Sequence, residues 1–324
     1  MATLTEAIKQ EAFRVGFDAV GIARIPDASR ATSVDGGSSP SFIEMLFHRL
    51  VTWLARGWHA TMEWMGKNPW RRSDPRLVLP GCRSIICVGL NYYSDHQPHE
   101  AAGYGRVARY AWGTDYHEIM DARLTQLRRA IQSLAPTAAY KQYVDTGPIM
   151  EKAWAQQAGL GWIGKHSNLV SPEFGSWLVL GEILTTLELE ADEPGTDLCG
   201  SCSLCIQACP TGAIDEPYMV DATKCLSYWT IEFRGSAEAI PQDIQRKFGN
   251  HMFGCDDCLD ICPYNVNARS TKEPAFAPSP LTLNPHLDTL RMMTEEEFRQ
   301  TFRHSPIRRA RYAGFQRNVQ LARA

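Results

Sequence analysis

DLCGSCSLCIQACPTGAI, Asp197 to Ile214, sets Cys199, Cys202, Cys205 and Cys209 in the spacing C-x2-C-x2-C-x3-C-P. Two-residue loops let consecutive thiolates wrap one compact cubane, and the proline after the last cysteine turns the chain away. GCDDCLDICP, Gly254 to Pro263, repeats the end of that run with Cys255, Cys258 and Cys262 and lacks only its first member. Cys225, in DATKCLSYW, is the remaining cysteine available nearby to replace it. Where two such runs share a domain, the fourth thiolate of one run serves the other cluster. Crossed in this way, Cys199, Cys202, Cys205 and Cys262 hold one 4Fe-4S cluster, and Cys209, Cys225, Cys255 and Cys258 hold the other. Structural zinc is the alternative, but zinc sites usually pair two short knuckles across a longer spacer. Here four cysteines crowd one run, and both runs end in Cys-Pro.

Working outward, only Cys82 and Cys87 of the ten cysteines precede position 199, and both read as core residues without a redox role. Clustering of that kind favours metal over disulfides and a cytoplasmic setting. The chain has 324 residues, enough for about two domains. Its 44% hydrophobic and 21% charged residues are ordinary for a globular protein. The apolar runs SIICVGLNYY and SWLVLGEILTTL are too short and interrupted to span a membrane. The start, MATLTEAIKQEAFRVGFDAVGIARI, mixes charges along a helical pattern, which predicts a first helix and strand rather than a signal.

Helices and strands alternate up to about residue 190, which predicts a mixed α/β (or α+β) body over residues 1–190. Ser41 to Arg56 carries an apolar stripe at helical period after the Gly/Ser/Pro loop Asp35 to Pro40. Thr114 to Leu134 repeats the pattern, with Asp115 and Glu118 resembling a capping box. Strand candidates are Ala19 to Ile25, Ser84 to Tyr92, Ala139 to Val144 and Ser176 to Thr185. From Asp192 the chain turns to cysteine, proline and short loops, which predicts a ferredoxin-like two-cluster domain over 191–275. A helical, basic segment, 276–324, follows.

AGLGWIGKHSNLV, Ala158 to Val170, spells G-x-G-x-x-G through Gly159, Gly161 and Gly164, and most of a P-loop ending at Lys165. Neither has its mechanism here. A dinucleotide fingerprint needs glycines that follow a strand and open a helix. Pro148 to Ala158 reads instead as a helix that Gly159 ends. A P-loop needs Ser or Thr after its lysine, and His166 stands there. The residues alone support a helix cap and tight turn, or a backbone lying against a flat cofactor.

Two clusters conduct electrons but transform nothing, so the first 190 residues must use them. GWHATMEWM (Gly57 to Met65), RRSDPRLVLPG (Arg71 to Gly81), RYAWGTDYH (Arg109 to His117), VDTGP (Val144 to Pro148), AGLGWIGKHSNLV, SPEFGSWLVLGEI (Ser171 to Ile183), both cysteine runs and SPIRRARYAGFQRN (Ser305 to Asn318) occur in order. Together they resemble epoxyqueuosine reductase over nearly the whole chain. The resemblance implies two-electron reduction of the cyclopentane epoxide of epoxyqueuosine to queuosine at the wobble position of a tRNA anticodon. It implies cobalamin held base-off in the N-terminal domain, which fits the lack of a D-x-H-x-x-G signature. It further implies an external low-potential electron donor.

Opening an epoxide needs a proton for the developing alkoxide. The resemblance assigns that proton to Asp145 of VDTGP, with a carboxyl pKa raised by burial against the cofactor; on residues alone, Asp145 could equally cap a helix beginning near Pro148. It also implies that Gly161 and Gly164 turn under the corrin and that Lys165 contacts a propionamide or the tRNA. Arg72, Asp115 and Asp256, between Cys255 and Cys258, are further cofactor candidates. His166 departs from the Asn or small polar residue common at that position in the family.

From Arg299 to the end there are seven arginines and no acid, with Tyr312, Phe315 and Val319 at helical spacing. Such a face suits a phosphate backbone, or a solvated helix packed by its aromatic stripe. Some relatives continue here into a HEAT-like extension, and this chain stops early. Two other functions share parts of this pattern. A reductive dehalogenase would commonly begin with a twin-arginine signal, which MATLTEAIKQ lacks, and a simple electron carrier would leave the large body idle.

Overall fold

In a computed structural model, residues 3–26, 40–266 and 268–322 are described. The Asp35 to Pro40 loop therefore lies, except for Pro40, outside the described residues. The strands are β1 (Ala19–Arg24), β2 (Ser84–Asn91), β3 (Arg106–Val107), β4 (Tyr140–Tyr143), β5 (Trp162–Ile163), β6 (Leu169–Val170), β7 (Leu178–Thr185) and β8 (His251–Phe253). Four form the main sheet in the order β1-β2-β7-β4, each neighbour antiparallel. The body is therefore α+β. Of the two expected alternatives, α/β or α+β, the antiparallel sheet selects the second, so no strand-order switch point locates the site.

β2 is buried along its whole length, and its alternate side chains feed two different cores. Ile86 and Val88 pack with Ile8 and Ala12 of the helix Leu4–Arg14 and with Met120, Leu124 and Leu127 of the helix Tyr116–Leu134. Ile85 and Cys87 face the other way, onto Ile43 and Leu46 of the helix Phe42–Ala55 and Trp154 of the helix Glu151–Gln157. This is the period-two placement of a strand covered on both faces. Cys82 and Cys87 lie in that second core, as core residues do.

Local chemistry sets the helix starts. Thr3 with Glu6 and Ser41 with Glu44 close reciprocal capping boxes. Asp115 caps Tyr116–Leu134 by accepting the His117 N–H, but Glu118 does not complete a box; its carboxylate meets His304 Nδ1 instead. The helix after β4 starts at Glu151, so Pro148 precedes it. At Gly21 a Cβ would lie 1.9 Å from the Ala158 carbonyl oxygen, so only glycine lets that helix end close onto β1.

The cysteine-rich segment is knitted to the body rather than hung from it. β8 pairs in parallel with β3, and Leu259 and Phe276 enter the first core. The Asp192 carboxylate accepts the Ile22 N–H at 2.7 Å. The final helix, Arg311–Leu321, buries Phe315 and Val319, so the aromatic stripe is packing. Arg317 is buried with it, donating to the carbonyls of Trp229, Phe233 and Gly235. Among the described residues, no helix is long and apolar enough to cross a membrane.

Candidate functional site

Where β4 runs out, Val144 is buried and Asp145 takes φ 56°, a left-handed conformation that costs a non-glycine residue energy and marks a held loop. Its backbone N–H donates to Glu151 Oε1 at the start of the next helix. Glu151 in turn faces Glu182 of β7, which is 2% exposed. Burial and the neighbouring carboxylates raise both pKa values. Two buried carboxyls set against each other bind a proton more readily than either would alone. Asp145 is thus not the helix cap, since the N-cap of that helix is Met150, five residues later.

The Asp145 side chain points the other way, toward the N-terminus of Tyr116–Leu134. Its Oδ2 accepts the Tyr116 hydroxyl at 2.9 Å and lies 3.5 Å from His117 Nε2. His117 Nδ1 meets Asp115 Oδ1 at 2.7 Å. The hydrogen bond with His117 holds the Asp145 carboxyl below its ordinary range, outweighing burial, which is opposite to the raised value expected from the sequence. Burial works against a charge on His117, but the hydrogen bonds and charges of Asp115 and Asp145 raise its pKa to about 9. At neutral pH the proton of this cluster therefore sits on the imidazole.

Asp145 stands on the wall of a basin of about 1070 Å³. Trp53, Met62, Trp64, Tyr110 and Tyr228 give much of the basin an apolar, aromatic lining. Arg72, from the short helix Pro69–Ser73, lies over the Trp64 ring at 5.3 Å and donates to the Trp64 carbonyl. Its Nε is buried without a hydrogen-bond partner. At the rim, Arg309 grips Glu232 through two bonds of 3.0 and 2.9 Å, with Arg308 beside it. Arg308 also borders a second hollow of about 390 Å³ lined by Arg299, Arg303 and Arg311.

The cysteines gather into two sets. Burial raises the Cys205 thiol, with the Cys199, Cys262 and Cys202 thiols adding to the effect; Cys262 likewise feels Cys199 and Cys202. Cys225 is raised by burial and by Cys209, and Cys258 by burial and by Cys225, Asp256, Cys209 and, from the other set, Cys205. Cys255 is raised with Cys225 and Cys258 as neighbours. Most of these neighbours share a set of the crossed grouping expected from the spacing, and the influence of Cys205 on Cys258 brings the two sets side by side. Cys225 also lines the basin, so the second set abuts it.

Four expected cofactor residues lie elsewhere. A Cβ on Gly161 would come 2.1 Å from the Val170 carbonyl oxygen, and one on Gly164 2.9 Å from the Val170 side chain. Both glycines serve the close β5–β6 hairpin rather than the basin. Lys165 does not reach the basin either, because its ammonium is bound by the carbonyls of Gly200 and Cys202 at 2.6 and 2.8 Å. Beside it, the Trp162 indole N–H points at Cys199 Sγ, 3.4 Å away. This glycine-rich segment is therefore a bracket on the first cysteine loop. Asp256 accepts the Arg109 N–H at 2.6 Å, with burial raising its pKa to about 6; it is not among the residues that line the basin. His166 is buried, neutral with its pKa pushed down to about 4 by burial, and accepts the Asn168 N–H.

Glu151 and Glu182 were not singled out from sequence. The available signal was a lone acid inside the apolar strand LVLGEILT, which burial makes costly unless it is partnered.

Family profiles match along the same lines. One described as a 4Fe-4S double cluster binding domain covers residues 198–265, and a second, epoxyqueuosine reductase QueG, DUF1730, covers 72–146. With a cofactor-sized basin and a proton-bearing cluster beside it, the class is an iron–sulfur oxidoreductase. Epoxyqueuosine reductase of Synechococcus sp. (strain CC9605) is 43% identical over 98% of this chain and 94% of its own length. That of Synechocystis sp. (strain ATCC 27184 / PCC 6803 / Kazusa) is 46% identical over 84% of this chain and 93% of its own. A crystal structure of epoxyqueuosine reductase with an epoxyqueuosine-modified tRNA-Tyr stem loop superposes with TM-score 0.87 at 31% identity, covering 98% of this chain and 80% of that one. The chain belongs to the epoxyqueuosine reductase family.

Proposed function

We propose that this protein reduces the epoxide of epoxyqueuosine in the tRNA anticodon to the alkene of queuosine, with cobalamin and two 4Fe-4S clusters as its cofactors. The observation that carries the reading is that Asp145, His117 and Cys225 all line one basin. A proton source and one end of an electron path there serve the same space.

The basin suits a corrin. Its volume exceeds the roughly 300–1,000 Å³ of ordinary small-ligand pockets. The aromatic walls match a large flat group, and Arg72 offers a buried N–H without a partner. Arg72, Trp64 and Tyr110 would hold the cofactor; reduced cobalamin supplies the strong low-potential reductant that epoxide opening requires. The two cysteine sets would hold the clusters, which supply single electrons.

The reaction takes two electrons and two protons and gives one alkene and one water. Asp145 presents its carboxylate to the basin, and its side chain is 60% exposed to that space. The proton held on His117 Nε2 passes through Asp145 to the epoxide oxygen as the C–O bond breaks, a general-acid role. Asp115 keeps the imidazole oriented and charged. The second proton enters from solvent through the basin mouth. Glu151 fixes the loop by accepting the Asp145 N–H. Arg308 and Arg311 face outward beside the mouth and suit the phosphates flanking the modified base.

The test uses protein reconstituted with iron, sulfide and cobalamin, a chemical reductant, and tRNA bearing epoxyqueuosine. Digested nucleosides should lose the mass of one oxygen. Unchanged epoxide with loaded cofactors would refute the proposal.

A further inference from the structure

We infer that the apolar rim around Cys199, Cys202, Cys205 and Cys262 is the docking surface of a small one-electron carrier protein. This rests on the two-cluster reading above. Leu198, Leu204 and Ile261 are 49%, 41% and 44% exposed, and each immediately precedes a cysteine of that one set. Tyr264 and Val266, 37% and 80% exposed, follow Cys262. The Tyr264 hydroxyl donates to the Leu198 carbonyl at 3.2 Å, which joins the two segments into one surface. Around the other set the preceding residues are Ala208, Lys224, Gly254 and Asp257, none of them a large exposed apolar side chain.

Polarity follows from this asymmetry. The set containing Cys225 abuts the basin, so the set with the apolar rim is the outer one and meets whatever delivers electrons. Charges flanking the rim are already engaged: Asp197 by Tyr218, Lys165 by two carbonyls, Asp260 by Arg106 and Arg109, and Arg269 by Glu173. The rim therefore offers an apolar contact, and its partner carries an apolar margin around its own redox group. Five side chains fall far short of the roughly 20–30 residues per side of a stable interface, which disfavours a second copy of this chain; transient electron-transfer encounters are of the smaller size. Each encounter oxidises the carrier by one electron and reduces the outer cluster by one. Two encounters supply the pair that, with two protons, converts an epoxide to an alkene and water.

The double variant Leu204→Gln, Val266→Glu tests this. Cluster reduction is followed by stopped-flow absorbance, using a reduced flavin-containing one-electron carrier protein or dithionite as the reductant. The carrier-driven rate should fall about tenfold or more, the scale of losing an interface anchor, with iron content and the dithionite rate unchanged. An unchanged carrier rate would overturn the proposal. So would an equal fall with dithionite, a steep salt dependence of the wild-type carrier rate, or a concentration-dependent dimer that the variant breaks. Wild-type protein without cluster absorbance would bring down the two-cluster reading itself, and that is read before any variant is compared.

Discussion

His117 Nε2 stands 3.5 Å from Asp145 Oδ2, and the second ring nitrogen is held by Asp115. This pairing places the transferable proton on the imidazole, and it makes activity sensitive to alkaline pH. The His117 pKa is raised above its ordinary value, to about 9. The charged pair is therefore complete below about 6.5 and is lost as pH rises through about 9. Turnover should decline across that upper window, and His117→Gln should lower it while removing the limb. A pH profile of His117→Gln that keeps the wild-type limb would contradict the assignment.

Glu182 gives the opposite kind of test, because its burial stores a proton rather than a charge. A carboxyl with a raised pKa binds its proton more tightly in the folded state, so stability falls as pH rises above about 4.3. Glu182→Gln replaces the proton with a permanent amide donor to Glu151. Thermal midpoints of that variant should depend less on pH than those of wild type. Equal pH dependence would show that the pair does not hold the proton.

The crossed cysteine grouping predicts about eight iron and eight labile sulfur atoms per chain. Cys225→Ser should impair the cluster shared with Cys209, Cys255 and Cys258 and leave the other's spectrum intact. Unchanged iron content and EPR spectra in that variant would refute the ligand set.

Neutralising Arg308, Arg309 and Arg311 together should weaken tRNA binding and flatten its salt dependence, as fewer counterions are released. Turnover at saturating tRNA should change little. Arg317, buried against three carbonyls, gives the contrast: Arg317→Met should lower the melting temperature and leave the salt slope alone. The arginine count of the tail could not make this distinction, which depends on which side of the helix faces the core.

Much of the frame was legible because its signals are local. Cysteine spacing set the two runs, and helical period marked Tyr116–Leu134 to within two residues. What stayed hidden depends on contacts between distant segments. The resemblance assigns Lys165 to a propionamide or the tRNA, whereas the carbonyls of Gly200 and Cys202, 35 and 37 residues on, occupy its ammonium. Gly161 and Gly164 are required by Val170, across a hairpin too short to leave a strand pattern. Burial alone points to a raised Asp145 pKa, and His117, which no local pattern places beside it, outweighs that burial.

The most direct measurement of the account is turnover of Asp145→Asn on epoxyqueuosine tRNA, made beside its iron content, cobalamin EPR spectrum and tRNA affinity. The account predicts that turnover falls on the order of a hundredfold or more, the usual worth of a positioned general acid, while the other three stay at wild-type values. Wild-type turnover in Asp145→Asn, or loss of cobalamin or of the fold with it, would contradict the claim that this carboxylate passes the proton to the epoxide oxygen.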